Sequence, residues 1–155
     1  MLYVTVADCV PVYLVNPMTG GIALLHAGWR GVAGGMLERG VEALSHSKDS
    51  AVSDIVMHCG VSICVACYEV GSEVIDALGL STDGGGKAQA DLRAILVEQA
   101  GRFGIGEVSV SSWCSAHDRE RFFSHRASRG ADGRMVAYLG VPAETTDLAS
   151  RPRQD

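Results

Sequence analysis

Cys9 and His26 are two soft, metal-capable side chains, each at the end of an apolar run. A thiolate and a neutral imidazole suit Zn²⁺ or copper, and a thiol beside an imidazole can also serve as an activated nucleophile. Asp8 stands next to the thiol, where a carboxylate can orient a metal-bound imidazole by hydrogen bonding. Arg30 follows in Ala27-Gly28-Trp29-Arg30-Gly31, a run that turns the chain into a helix. A guanidinium there lies beside the free N–H groups of a helix start. That setting favours an anion, and Arg30 could clamp a phosphate through two parallel donors.

These residues need a hairpin to meet. Val10 to Val15 reads as a short strand, Asn16 to Gly21 as a turn, and Ile22 to His26 as a second buried strand. Such a hairpin returns His26 to the neighbourhood of Cys9. Beyond it, Val32, Met36, Leu37, Val41 and Leu44 recur at helical spacing, predicting a helix from about Val32 to Ser45 with Gly34 and Gly35 weakening its first turn. Ile55 to Cys59 and Val108 to Ser112 read as strands, and Met135 to Leu139 as a closing one. Glu69 to Leu78 and Asp91 to Phe103 read as helices, with Glu69 complementing a helix N-terminus. Ser81 to Lys87 is a flexible loop whose three glycines lack the Gly-Lys-Ser/Thr of a phosphate loop. The pattern predicts an α/β fold: a mixed β-sheet with outer helices and no dinucleotide fingerprint. Residues 1–140 form one domain, followed by a polar, disordered tail from 141 to 155.

Further residues carry chemistry on paper. Cys64 and Cys67 make a C-x-x-C pair, but Cys59 and Cys114 do not supply a second pair at zinc spacing, so packed small hydrophobes is the better reading. His58, His117 and His125 are, besides His46, the available histidines for another metal ligand. Arg126, Arg129 and Arg134 lie in an arginine- and glycine-rich segment. Ser45-His46-Ser47-Lys48 matches a serine-x-x-lysine motif, yet it falls at a polar helix end without companion motifs and reads as solvated surface.

Composition narrows the class. A chain of 155 residues with 47% apolar and 20% charged residues fits one folded domain. A net charge of −5 with no basic stripe argues against nucleic acid, and no stretch approaches the ~20 apolar residues of a membrane span. Five cysteines, an odd number, and an apolar start too short for a signal peptide favour reduced thiols and the cytoplasm.

Ala7-Asp8-Cys9-Val10-Pro11-Val12 followed by His26-Ala27-Gly28-Trp29-Arg30-Gly31 resembles the signature of the laccase-domain family. That family is variously described as multicopper polyphenol oxidoreductases, purine nucleoside phosphorylases and peptidoglycan editing factors. The resemblance continues through Gly60-Val61-Ser62-Ile63, Cys67-Tyr68-Glu69-Val70, Trp113-Cys114 and Phe122-Phe123-Ser124-His125-Arg126 to about Gly140. It implies part of an α/β/β/α sandwich and a zinc site with Cys9 and His26 as ligands. Asp8 is implied beside them, and Arg30 and Arg126 as phosphate-binding residues. The implied reaction is phosphorolysis of a purine nucleoside (adenosine, inosine or methylthioadenosine) to the base and ribose 1-phosphate. A metal-activated water could also deaminate adenosine, since zinc lowers the pKa of bound water to about 7. The alternatives are a Cys–His thiol hydrolase or amidase acting on peptidoglycan precursors, a copper-dependent polyphenol oxidase short of histidines, and an inactive or partner-completed fragment. The family's N-terminal portion carries a Gln-x-His-Gly histidine, the implied third ligand, and that motif does not occur in this sequence. The expected partners are therefore a completing N-terminal segment or a second copy of the chain, recruited to apolar surface at Met1 to Val6.

Overall fold

Residues 1–45, 51–82 and 84–141 are described by the computed structural model. Strand alternation and one asparagine set the central hairpin. β2 (Val10–Asn16) and β3 (Gly21–Ala27) pair antiparallel, from Val10 opposite Ala27 to Asn16 opposite Gly21. The Asn16 side chain accepts from the backbone N–H groups of Met18 (2.9 Å) and Thr19 (3.2 Å), and Gly20 at φ 69° closes the turn. β4 (Val56–Cys59) pairs antiparallel with the other edge of β2, and β7 (Glu107–Val110) runs parallel to β4. The four-stranded sheet has the order β3-β2-β4-β7, so it is mixed, as expected.

The two faces of this sheet have different covers. Val10, Val12 and Leu14 of β2 are buried, and they share one core with Leu37 and Val41 of α2 (Met36–Ser45) and Leu92 and Leu96 of α4 (Leu92–Phe103). Helices thus cover that face. Pro11 and Tyr13 point to the other, where they line a cavity with Val6, Met135 and Ala137. Those three belong to a ribbon of β1 (Leu2–Val6) and β8 (Met135–Leu139), paired antiparallel. In the ribbon, Tyr3 opposite Tyr138 and Thr5 opposite Val136 face solvent, while Val6 and Ala137 are buried. Apolar exposure within Met1 to Val6 thus lies at Met1, Leu2 and Tyr3, at the start of the strand, and ends at the buried Val6.

Three local expectations change. The helix predicted from Val32 to Ser45 is two helices, α1 (Trp29–Ala33) and α2, because Gly35 takes φ 74° and turns the chain between them. Glu69 does not start a helix: it belongs to β5 (Glu69–Val70), which pairs with β6 (Ala88–Gln89), and α3 (Ser72–Leu78) begins after Gly71. Lys87 holds the Glu69 carboxylate at 2.6 Å, so a nonlocal pairing overrides the local helix signal. The segment before Arg134 contains a short helix, α5 (His125–Ser128), which the Ser124 hydroxyl caps by accepting from the Ala127 N–H. Apart from Val141, the expected tail lies outside the described residues, as do His46 to Lys48 and Asp83.

Candidate metal and substrate site

The hairpin register brings Cys9 and His26 to the same face. Val10 lies opposite Ala27, so Cys9, one residue on, comes opposite Gly28; His26, opposite Pro11, projects to the same side two residues back. A Cβ on Gly28 would stand 2.9 Å from the Cys9 Sγ, so only glycine leaves room for the sulfur there. This is the face away from the core helices. Cys9 is half-buried and His26 exposed.

Asp8 fixes the corner from which Cys9 projects. Its φ is 79°, a conformation rare outside glycine and easiest for Asn and Asp. Both carboxylate oxygens are engaged: the Ser115 hydroxyl donates to Oδ1 and the Arg126 backbone N–H to Oδ2, each at 2.7 Å. The Ile63 N–H donates to the Asp8 carbonyl at 3.0 Å. Asp8 thus ties three distant segments to Cys9, and the partners of its carboxylate are Ser115 and Arg126 rather than the His26 imidazole.

Arg30 and Arg126 come to the same region, around Tyr68. The Arg126 side chain donates to the Glu69 carbonyl at 2.6 Å and stacks over the Tyr68 ring at 5.0 Å. Arg30 stacks over Trp29 at 4.1 Å and meets Glu73 at 3.0 Å. That ion pair has side chains 73% and 72% exposed, so it holds Arg30 weakly and leaves it free to turn to an anion. Burial raises the Tyr68 hydroxyl above its ordinary pKa; Cys9 and Asp8 push the same way, and Arg126 and Arg30 oppose them. Tyr68 therefore lies within electrostatic reach of all four. Burial likewise pushes the Cys9 thiol up, Asp8 adds to this, and Arg134 opposes it.

As a metal site, Cys9 and His26 offer a suitable but partial ligand set. Their donors are of the right softness and share a face, but among the described residues no third His, Cys, Asp or Glu donor converges with them. The other described histidines are engaged elsewhere. His58 Nδ1 lies 2.9 Å from Ser109 Oγ, and the His125 ring lies against Gly130. His117 has thiol partners of its own.

Those thiols correct an expectation. Cys64 and Cys67 are not packed as small hydrophobes: both are half-buried and meet His117, with Cys67 Sγ 3.1 Å from its Nε2 and Cys64 Sγ 3.7 Å from its Nδ1. Cys114 completes the group, and the four donor atoms lie within 4.8 Å of one another, an arrangement that could hold a metal ion. The missed signal was Cys114-x-x-His117, which pairs with Cys64-x-x-Cys67 once histidine is counted with cysteine.

The fold is that of a laccase-type α/β protein. The chain belongs to the multi-copper polyphenol oxidoreductase laccase family, whose profile matches residues 1–142. It is 35% identical to a protein named purine nucleoside phosphorylase YlmD from Geobacillus stearothermophilus, over 94% of this chain and 58% of that one. It is 36% identical to one named adenosine deaminase RL5, from an unknown prokaryotic organism, over 79% of this chain and 51% of that one. The crystal structure of Bacillus licheniformis hypothetical protein YfiH superposes with a TM-score of 0.82 at 33% identity, covering 87% of this chain and 55% of that one. The chain thus spans little more than half the length of these relatives.

Proposed function

We propose that Cys9 and His26 supply two ligands of a zinc-dependent purine nucleoside phosphorylase site, with phosphate held by Arg30 and Arg126. The observation that carries this reading is their common face on the β2–β3 hairpin, with Asp8, Tyr68 and both arginines gathered around it. The names of the relatives agree with it. Zinc bound there would supply Lewis acidity. The chain's own residues do the rest: the arginines hold a phosphate oxygen against the ribose anomeric carbon, and the C–N bond to the base breaks as the new C–O bond forms. Asp8, with both oxygens engaged, fixes the thiol's position. A third ligand comes from a further polypeptide segment or a second copy. The five free thiols suit the cytoplasm.

A free Cys9 nucleophile is the weaker reading. Burial and Asp8 hold the thiol protonated, whereas coordination to a metal deprotonates it outright. The test is phosphate-dependent release of hypoxanthine from inosine. Cys9→Ala and His26→Ala should each reduce it to background, and the double variant should be no worse, as for groups acting as a unit. One silent substitution beside one fatal one would break the shared site. Conversion of adenosine to inosine without phosphate would reassign the activity to deamination.

A further inference from the structure

We propose that Cys64, Cys67, Cys114 and His117 form a closed structural zinc site, separate from the Cys9–His26 face. Three thiols and an imidazole are a complete ligand set for tetrahedral zinc. A Zn–S bond of about 2.3 Å gives a tetrahedron with edges of about 3.8 Å, so donors already within 4.8 Å need only small side-chain rotations to close on one ion. The same span is too small for a sulfide-bridged iron cluster, whose usual ligands are four cysteines.

The backbone is shaped for this set. Cys64 and Cys67 flank a tight 3₁₀ turn closed by the Cys67 N–H donating to the Cys64 carbonyl at 3.1 Å. The second pair sits in a matching turn, in which the Asp118 N–H donates to the Cys114 carbonyl at 3.0 Å and the Cys114 N–H to Asp118 Oδ2 at 3.2 Å. The Cys64 N–H donates to Cys114 Sγ at 3.3 Å, the outer hydrogen bond that a coordinated thiolate uses to spread its charge. A parallel bridge between Ser62 and Cys114 holds the two turns side by side. Binding releases the protons of the three thiols to solvent, leaving one negative charge on the zinc–thiolate unit. With four protein ligands, no position stays open for substrate, which makes the role structural.

The site also has something to hold. Cys67 precedes Tyr68, and Cys114 precedes Ser115, whose hydroxyl donates to Asp8. One ion would therefore pin two loops that build the wall of the candidate active site.

The test is metal retention by the purified full chain, reduced and dialysed against a weak chelator, beside the Cys9→Ala/His26→Ala double variant. Both should keep one zinc per chain. In both, Co²⁺ exchange should give tetrahedral d–d bands and charge transfer scaled to three thiolates. His117→Ala, at an exposed position, should keep the fold and weaken zinc by more than the roughly 100-fold that loss of a partner outside the ligand set can cost. Loss of the tightly held zinc in the double variant would overturn the proposal. So would a reduced wild-type chain that retains no metal and shows no thiolate charge transfer with cobalt. A Cys64–Cys67 disulfide found by mass spectrometry in protein prepared under reducing conditions would overturn it as well.

Discussion

The hairpin face and the cysteine cluster use the same donor types to opposite ends. Cys9 and His26 are two donors on an open face, one of them exposed, with arginines close by. Cys64, Cys67, Cys114 and His117 are four donors folded onto one another at the meeting of two turns. An incomplete set on an open face leaves room for substrate and for a ligand from elsewhere. A complete set leaves none, and it serves the fold. The difference is one of count and enclosure, not of chemistry.

The largest effect should separate the two in thermal stability. Stripping the metal, or Cys114→Ser, removes the tie between two loops and should cost on the order of 5 kcal/mol, or about 15 °C in Tm for a domain of this size. Cys9→Ala should move Tm by no more than about 2 °C, since a metal shared with His26 joins only two strands already paired in one hairpin. Calorimetry of the zinc-loaded chain and both variants measures this. Equal shifts for Cys9→Ala and Cys114→Ser would erase the distinction between an open functional site and a closed structural one.

The two sites were not equally legible in the sequence. The hairpin could be read because its signals are local: an apolar run, an Asn-Pro-Met-Thr-Gly-Gly turn, a second apolar run, with Cys9 and His26 at the ends. The cluster depends on Ser62 pairing with Cys114 across the fold, and no local pattern states that. Its half-motifs are visible, but they stand 50 residues apart, and His117 taken alone reads equally well as a ligand for Cys9. The β5–β6 pairing that overrides a helix at Glu69 was hidden for the same reason. Asp8 was legible as a neighbour of the thiol; its hold on Ser115 and Arg126 was not.

Asp8 is where the two regions meet, because Ser115 of the cluster loop and Arg126, proposed above to hold phosphate, both donate to it. Asp8→Ala strands two donors and keeps a positive φ that alanine tolerates poorly, and should cost about 3 kcal/mol. Asp8→Asn keeps an acceptor and the conformational tolerance, and should cost about half of that. Urea unfolding of the zinc-loaded variants gives both values. If Asp8→Ala costs nothing, the clamp does not couple the cluster loop to the hairpin.

The fifth cysteine supplies the smallest effect and the control for both sites. Cys59 lies fully buried at the end of β4, in the helix-covered core and in neither donor group. Burial pushes its thiol up to about 11, with Arg93 opposing and Asp91 adding. A pKa raised in the folded state means that the folded chain keeps a proton the unfolded chain has lost. The contribution to stability is therefore complete below about pH 9 and disappears as the pH rises through about 11. At pH 10 the loss should be on the order of 1 kcal/mol, and Cys59→Ala should remove that part of the slope whatever its cost at neutral pH. Denaturant unfolding at pH 8 and pH 10 on both proteins isolates it, because the tyrosines and lysines that titrate nearby cancel in the difference. If the wild-type slope persists in Cys59→Ala, the alkaline sensitivity belongs to other groups, the zinc-site thiolates and Cys9 among them. The core cysteine would then not be the inert reference against which the two donor groups are compared.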